Sequence, residues 1–313
     1  MTPIQQMLLG AASSPPQITT DGLYYYMNAN NSNVMSGSSR TLQSYDRIGY
    51  VPKADLNNPP GYNPSFSTSS SSQWQQGQHN NNANGSIYYT TPSGNNTAYF
   101  TFDGNPDSGG YGLGVEGTEF NAYGRSWSWD GWVKPYGLGT ARTSPSSGTH
   151  STTPIVMAVN KQPYGPGNGQ FSATQHWFYI WKYNNTNAWW GVANHDSSGT
   201  QHTMTGVMPS PTFNWTTNTD WYHFAITLNG STGKKSVYID GGLNMSSTNS
   251  DFASVASTSY THKSRLYIGG APAQGNQVFK GDISTSRFYQ SKELTAAEVL
   301  NNYNVEKSIH GKP

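Results

Sequence analysis

Carboxylates are the side chains best suited to acid–base chemistry, and one close pair of them is present at Glu116 and Glu119. Two carboxylates that flank a glycosidic bond, one as nucleophile and one as acid, are the usual machinery of glycoside hydrolysis. Residues three apart in an extended segment point to opposite faces, so this pair cannot act on one bond. We therefore expect no enzymatic activity and no catalytic residues.

Oxygen ligands with the spacing of a calcium loop occur at Asp103, Asn105 and Asp107. Position twelve of that loop is Gly114 rather than the bidentate Glu of an EF-hand, which excludes the motif. The eight histidines, His223 among them, show no H-x-x-x-H spacing and are interpreted as surface or internally satisfied residues. The sequence thus predicts no metal site and no cofactor.

Tryptophan and tyrosine are the remaining candidates for a binding role, because their rings can stack on sugar faces. Trp177, Tyr179 and Trp181 alternate on one face of a predicted strand, and Trp189 lies opposite Trp190 on the next. We name Trp189 and Trp190 as candidate glycan-binding residues. The alternative is that these rings are buried in the core or in a subunit interface, as aromatic residues often are.

The composition limits the classes of partner. Charged residues make up 11% of the 313 residues, and the formal net charge is +1. Nucleic-acid binding requires clustered Lys and Arg, and no basic stripe occurs, so we expect neither nucleic acid nor an anionic membrane as a partner. No apolar run of about 18 residues is present, and residues 1–10 lack a secretion leader. With 0 Cys, disulfides and thiolate metal sites are excluded.

Short aromatic or β-branched runs bounded by Gly, Asn, Pro and Ser predict an all-β sandwich. Alternation gives each strand a core face: Tyr222, Phe224, Ile226 and Leu228 share one side. Predicted strands lie at 21–28, 99–103, 127–134, 155–160, 177–183, 189–194, 221–228, 236–240, 266–269 and 281–289.

One helix is predicted near the C-terminus. Thr295 and Glu298 form a capping box, and Leu294 with Val299 supplies the hydrophobic staple. We expect this helix to present Val299, Leu300 and Tyr303 to the sandwich.

Three segments stand apart from this body. Residues 57–85 are rich in Pro, Ser, Gln and Asn and predict a long loop within the domain 21–307. Residues 1–20 predict an N-terminal docking arm, and residues 308–313 a short C-terminal tail. In the arm Ile4, Met7, Leu8 and Leu9 are the candidate docking residues, because the first three fall on one face of a helical turn.

Residues 21–307 resemble the laminin-G-like, concanavalin A-like jelly roll in its bacterial and phage form. The resemblance is carried by 21–28, by FDG at 102–104, by SWSWDGWVKP at 126–135, by WYHFAITLNG and SVYIDG, and by the closing stretch 266–299. It implies a jelly-roll β-sandwich with one short C-terminal helix. It also implies calcium at Asp103 or Asp240 as an alternative to an Asp that caps a turn.

Residues 1–10 separately resemble the start of tailed-phage virion proteins, particularly those of marine cyanobacterial phages. We therefore expect a non-enzymatic structural protein on a bacteriophage virion, as capsid decoration or tail-fibre-like component, that is fastened by its arm to other virion proteins and to copies of itself. The alternative function is a carbohydrate-binding adhesin or lectin that recognises host surface glycans, and one protein can serve both.

Overall fold

A computed structural model describes residues 17–28, 35–36, 41–42, 72–75, 86–90, 97, 99–103, 113–117, 126–135, 152–160, 175–182, 188–195, 201–208, 220–249, 264–269 and 279–313. These residues form seventeen strands, one α-helix and one 3-10 helix. The strands of the first half are β1 (Leu23–Asn28), β2 (Met35–Ser36), β3 (Thr41–Leu42), β4 (Ser72–Gln75), β5 (Ser86–Thr90), β6 (Tyr99–Asp103), β7 (Leu113–Gly117), β8 (Trp127–Pro135) and β9 (Thr152–Asn160).

The second half of the chain continues with β10 (Gln175–Lys182), β11 (Ala188–His195), β12 (Gln201–Val207), β13 (Tyr222–Leu228), β14 (Lys234–Ile239), β15 (Gly242–Thr248), β16 (Ser264–Ile268) and β17 (Lys280–Gln290). The α-helix, here α1, spans Ala296–Glu306, and the 3-10 helix spans Lys307–His310. None of the helices in these ranges is long and apolar enough to cross a membrane.

Two antiparallel sheets make the sandwich. The nine-stranded sheet has the order β15-β14-β13-β8-β17-β6-β5-β4, and β1 joins it on β17 beside β6. The six-stranded sheet has the order β12-β11-β10-β9-β16-β7, and β2 pairs with β3 separately. The all-β jelly-roll class expected from the sequence is confirmed.

The core between the sheets is aromatic and aliphatic. Trp129 of β8 packs against Phe178 of β10 at a ring distance of 5.8 Å, and Phe178 packs against Phe224 of β13 at 5.2 Å. Phe224, Ile226 and Leu228 are all buried, which confirms the core face expected for their strand. The intervening residues of β13 are buried too, because α1 and the chain around it cover the outer face.

The capping box at Thr295 and Glu298 starts α1 as predicted. Leu294 and Val299 are both buried in one apolar cluster, as the staple requires. The expectation for Leu300 is wrong, since its side chain is 46% exposed. The helix instead turns Val299, Asn302 and Glu306 inward, so a polar face meets the sheet.

Parts of the predicted loop 57–85 and of the predicted C-terminal tail 308–313 pack with the sandwich where the structure describes them. Strand β4 lies within the predicted loop 57–85 and forms the end of the nine-stranded sheet. His310, in the predicted tail, is buried. Ile4, Met7, Leu8 and Leu9 lie outside the described residues.

Candidate functional site

One side of the sandwich is formed by an edge strand from each sheet. β12 ends the six-stranded sheet and β15 ends the nine-stranded sheet. The two edges are joined by a hydrogen bond in which the indole N–H of Trp190, on β11, donates to Oδ1 of Asn244 at 3.1 Å. Trp190 is fully buried, so it fixes the edges from the inside.

Gly206 makes room for this arrangement. It lies directly across from Trp190 in the β11–β12 register. A Cβ atom at position 206 would overlap the Trp190 ring, so only glycine lets the indole lie flat against β12. The pair Trp190–Gly206 therefore determines how closely the two edges approach.

The hairpin before β15 is sharp. Asp240 and Gly241 both have positive φ, 49° and 78°, as a two-residue turn of the kind favoured by Asp-Gly requires. The Asp240 carboxylate accepts from the backbone N–H of His223 at 2.9 Å and from Nζ of Lys312 at 2.9 Å. The Asp240 carboxylate therefore stabilises the turn. This is the role that was the alternative to calcium binding at Asp240.

A cleft of about 590 Å³ opens between these two edges; we call it the edge cleft. Its described lining combines hydroxyl, amide, ammonium and thioether groups and contains no carboxylate. The lining residues are Thr203, Met204, Thr205, Lys235, Met245, Ser246, Ser247 and Asn249.

Lys235 is the charged group of the edge cleft. It is paired in register with Leu228 on β13 and with Ser247 on β15, in the same alternation as the buried Val237 and Ile239. Its side chain is 3% exposed, and burial lowers the pKa of its ammonium to about 8. Below that pH the cleft holds a buried positive charge.

A second group of buried polar side chains lies between α1 and the nine-stranded sheet; we call it the sealed cluster. Oδ1 of Asp130 accepts from Nε of Arg287 at 2.5 Å, and Nη2 of Arg287 lies 3.1 Å from Oε2 of Glu306. The Nδ2 group of Asn302 donates to Oδ2 of Asp130 at 2.7 Å and to the hydroxyl of Tyr289 at 2.9 Å. All five residues are buried.

The charges of the sealed cluster compensate one another. Burial alone would raise the pKa of Asp130, but Arg287 and His223 bring it below the ordinary value. Burial raises the pKa of Glu306 although Arg287 opposes the shift. Nearby, the ring of His310 stacks on the ring of Trp132 at a centroid distance of 4.0 Å. Burial lowers the pKa of His310 to about 3. Because α1 covers these groups, the cluster fastens the helix and gives a ligand no access.

The sealed cluster also holds the root of the predicted arm. The backbone N–H of Thr19 donates to Oδ1 of Asn302 at 2.7 Å, and the Tyr289 hydroxyl donates to the carbonyl of Thr19 at 3.2 Å. Nδ2 of Asn301 donates to the carbonyl of Gln17 at 2.7 Å. Residues 17–19 are therefore held beside α1.

The residues named from the sequence fall in different places. Trp190 lies in the core, where its ring cannot stack on a ligand in solvent. Trp189 is paired in register with Val207, which is 51% exposed, and with Trp181. Glu116 is on β7, whereas Glu119 lies outside the described residues. Among the residues that the structure describes, no group of three His, Asp or Glu is placed to hold a metal ion.

Sequence reasoning missed the edge cleft. Its one signal was a Lys at position 235, in phase with Val237 and Ile239 on the core side of a predicted strand. A lysine at a core-facing position is unusual, since lysine is rarely buried without a specific reason.

The two antiparallel sheets with a cleft between their edges define a jelly-roll β-sandwich. Residues 118–300, more than half of the chain, match the family model Laminin_G_3 of the concanavalin A-like lectin/glucanases superfamily. The chain belongs to this superfamily, as its resemblance indicated. A comparison with curated proteins finds no match.

Solved structures similar to the chain come from several sources. The botulinum neurotoxin serotype G binding domain matches with 13% identity and a TM-score of 0.46, over 77% of this chain and 51% of that one. The Ruminococcus gnavus IT-sialidase CBM40 bound to alpha2,3 sialyllactose matches with 13% identity and a TM-score of 0.40, over 64% and 94%. The heptameric SAP-like pentraxin from Limulus polyphemus matches with 14% identity and a TM-score of 0.37, over 56% and 68%. The chain thus spans about half the length of the neurotoxin domain.

Proposed function

We propose that the protein is a non-enzymatic carbohydrate-binding protein that holds a saccharide in the edge cleft. The observation that carries the proposal is the lining of this cleft by hydroxyl, amide and ammonium groups. Ligand sites are typically concave, measure roughly 300–1,000 Å³, and orient the ligand with a few polar groups. Membership of a superfamily of lectins and glucanases agrees with a saccharide ligand.

The chemistry of the lining matches both the hydroxyl groups and the C–H groups of a sugar. Sugar hydroxyls donate and accept hydrogen bonds, and so do the side chains of Thr205, Ser247 and Asn249. Between the hydroxyls a sugar presents C–H groups, and the polarisable thioethers of Met204 and Met245 offer apolar surface for them.

The same lining supports binding without hydrolysis. Cleavage of a glycosidic bond typically uses a pair of carboxylates, one on each side of the bond. The described residues of the edge cleft supply an ammonium and hydroxyls instead. We therefore retain the expectation that the protein is not an enzyme.

Trp189 belongs to this proposal as a further contact. In the β11–β12 register, Gly191 pairs with Thr205 of the cleft, and Trp189 pairs with Val207 two residues further along. The pair Trp189–Val207 is therefore the next cross-strand pair on the same face of the sheet as Thr205. An extended saccharide that leaves the cleft along β12 would reach that pair. We expect Trp189→Ala to weaken binding of oligosaccharides more than binding of monosaccharides.

A second role, attachment to a virion surface, is favoured by the root of the arm. Gln17 and Thr19 are hydrogen-bonded to Asn301 and Asn302, which gives a preceding segment a fixed exit beside α1. We propose that this segment anchors the domain on a virion, beside copies of itself, while the edge cleft stays open to host glycans. Deletion of residues 1–10 should then release the protein from particles and leave saccharide binding unchanged.

A glycan array tests the carbohydrate-binding proposal with two neighbouring substitutions on β15. Ser247→Leu fills the edge cleft and removes one of its hydroxyls, whereas Thr248→Leu changes the next exposed residue, which lies outside the lining. We expect the unmodified protein and Thr248→Leu to bind the same glycans and Ser247→Leu to lose them. Absence of any glycan binding by the folded protein, or equal binding by both variants, would overturn the proposal.

A further inference from the structure

We propose that β15 is an interface at which two copies of this chain associate, by antiparallel pairing of their β15 strands around a two-fold axis. Such an association needs no ligand in the edge cleft, so it stands apart from the proposed function. Three properties of β15 support it, namely its exposure, the direction of its backbone groups, and its lack of charge.

The strand β15 is exposed along its whole length. Every residue from Gly242 to Thr248 is exposed, and Leu243 is 58% exposed. Within the described part of the chain, β14 is the one strand that pairs with β15. An edge of this kind leaves backbone N–H and C=O groups unpaired, which makes it a template for pairing with another chain.

The pairing with β14 shows which backbone groups face the open edge. The N–H of Asn249 donates to the carbonyl of Gly233 at 3.1 Å. Hydrogen-bonded residues alternate along an antiparallel pair, so Ser247 also directs its backbone groups to β14, whereas Ser246 and Thr248 direct theirs outward. A second copy that runs antiparallel presents the same groups in reverse order, so each outward N–H can meet an outward C=O.

A bulge interrupts the β14–β15 pairing at Asn244, which lies between the paired residues Leu243 and Met245. Bulges commonly protect an edge because they twist it away from other chains. From Met245 to Thr248 the pairing with β14 is regular again. This stretch of the edge therefore keeps the geometry that a second strand requires.

The charge of β15 favours a second copy as its partner. β15 contains no Asp, Glu, Lys or Arg, and Lys234 and Lys235 lie on β14, one strand further in. Like charges directly opposite each other destabilise a strand pair, and self-pairing of β15 brings none together. The whole chain has a formal net charge of +1, so two copies repel each other only weakly. A strongly charged partner would find no complementary charge on this strand.

An apolar patch beside the open edge adds surface that association covers. Its members are Leu243 on β15 and Leu300 on α1, and both are exposed. A Cβ atom at Gly241 would lie 3.0 Å from Cδ1 of Leu300, which places this side chain at the start of β15. A copy paired along β15 lies beside the patch, so burial of apolar surface accompanies the backbone hydrogen bonds.

Sedimentation velocity of the full chain over a range of concentrations tests the proposal. We expect a concentration-dependent dimer of twice the chain mass of 34.1 kDa. Thr248→Pro removes an outward N–H from each copy without removing a bond to β14, whereas Thr248→Val keeps this N–H and the branched side chain. Because two hydrogen bonds are lost per dimer, the dissociation constant should rise about tenfold or more in Thr248→Pro and change little in Thr248→Val.

Amide hydrogen exchange of the unmodified protein locates the interface without any substitution. Exchange at Ser246 and Thr248 should become slower as the concentration rises through the dissociation constant, and more so than at Ser247. A thermal melt shows that each variant is folded.

Three results would overturn the proposal. They are a protein that stays monomeric up to millimolar concentration, a dimer that is equally tight in Thr248→Pro and Thr248→Val, and exchange at Ser246 and Thr248 that does not depend on concentration. A monomer that binds glycans would leave the carbohydrate-binding proposal standing, and a dimer that binds none would leave the β15 interface standing.

Discussion

Two of the sites at which the described residues bury charged side chains differ in how the charge is compensated. In the sealed cluster, Arg287 lies between Asp130 and Glu306, and α1 covers all three. In the edge cleft, Lys235 is equally buried, but it lies between two sheet edges among hydroxyl groups.

This contrast separates buried charges that a helix covers from a buried charge that lines an open cleft. Strongly perturbed ionisable groups are often used to find functional sites, and by that criterion the sealed cluster would be chosen first. It is inaccessible, however, and its ions pair with one another. One group with a perturbed pKa, Lys235, lines the edge cleft, and it too is nearly fully buried.

The contrast predicts opposite outcomes when one buried charge is removed. Asp130→Ala leaves Arg287 without its principal partner inside the sealed cluster, so we expect the free energy of unfolding to fall by about 3–5 kcal/mol. Urea denaturation measures this difference. A loss under 1 kcal/mol would mean that the cluster is more accessible to water than its burial indicates.

The acid side of the stability curve tests His310, which lies beside the sealed cluster with its Nδ1 2.9 Å from the carbonyl oxygen of Glu306. Its pKa is lowered from about 6.5 to about 3 in the folded state, so the unfolded chain binds more protons between these values. Stability contributed by neutral His310 is therefore complete above pH 6.5 and is lost as the pH falls, by about 3 kcal/mol at pH 4. His310→Phe should flatten this limb in urea titrations at several pH values, and an unchanged limb would contradict the assignment.

Lys235 should change the free energy of unfolding at the alkaline end of the pH scale. Its pKa is lowered to about 8 from an ordinary 10.5, so the folded state gains stability as the pH rises through this window. At pH 7 the charged ammonium costs about 3 kcal/mol, since each pKa unit corresponds to roughly 1.4 kcal/mol. We expect Lys235→Met to raise the free energy of unfolding at pH 7 and to lose this pH dependence.

Lys234→Met is the control for that measurement. Because Lys234 is exposed, its removal should change the free energy of unfolding little at any pH. If Lys235→Met destabilised the protein while Lys234→Met did not, the ammonium would be a structural group like those of the sealed cluster.

The smallest expected effect concerns the root of the arm. Tyr289→Phe removes the hydroxyl that donates to the carbonyl of Thr19, at a cost of about 1 kcal/mol. Amide hydrogen exchange should become faster at Thr19 and stay unchanged along β15. Faster exchange at β15 as well would show that the two regions are coupled.

Much of the fold could be read from the sequence because its strands alternate or are rich in aromatic residues. The core face of β13 and the capping box of α1 are local signals, and both are confirmed. β15 was missed because the alternation in GLNMSST is limited to Leu243 and Met245, so pairing with β14 is what makes it a strand.

The candidate site was less accessible to sequence reasoning. Trp189 and Trp190 are equivalent in sequence, and only the register of β11 with β12 separates them, with Trp190 in the core. The edge cleft is assembled from β12, β14 and β15, which meet through tertiary packing. A single strand pattern carries no information about which edges will face each other.

The central claim is that the edge cleft receives the ligand, and methyl NMR of the 8 methionines tests it most directly. Met204 and Met245 line the cleft, whereas Met208 is buried outside its lining. Titration of the unmodified protein with a saccharide that it binds should shift the methyl signals of Met204 and Met245 and leave the signal of Met208 in place. A saccharide that binds without moving either of the two cleft signals would contradict the account.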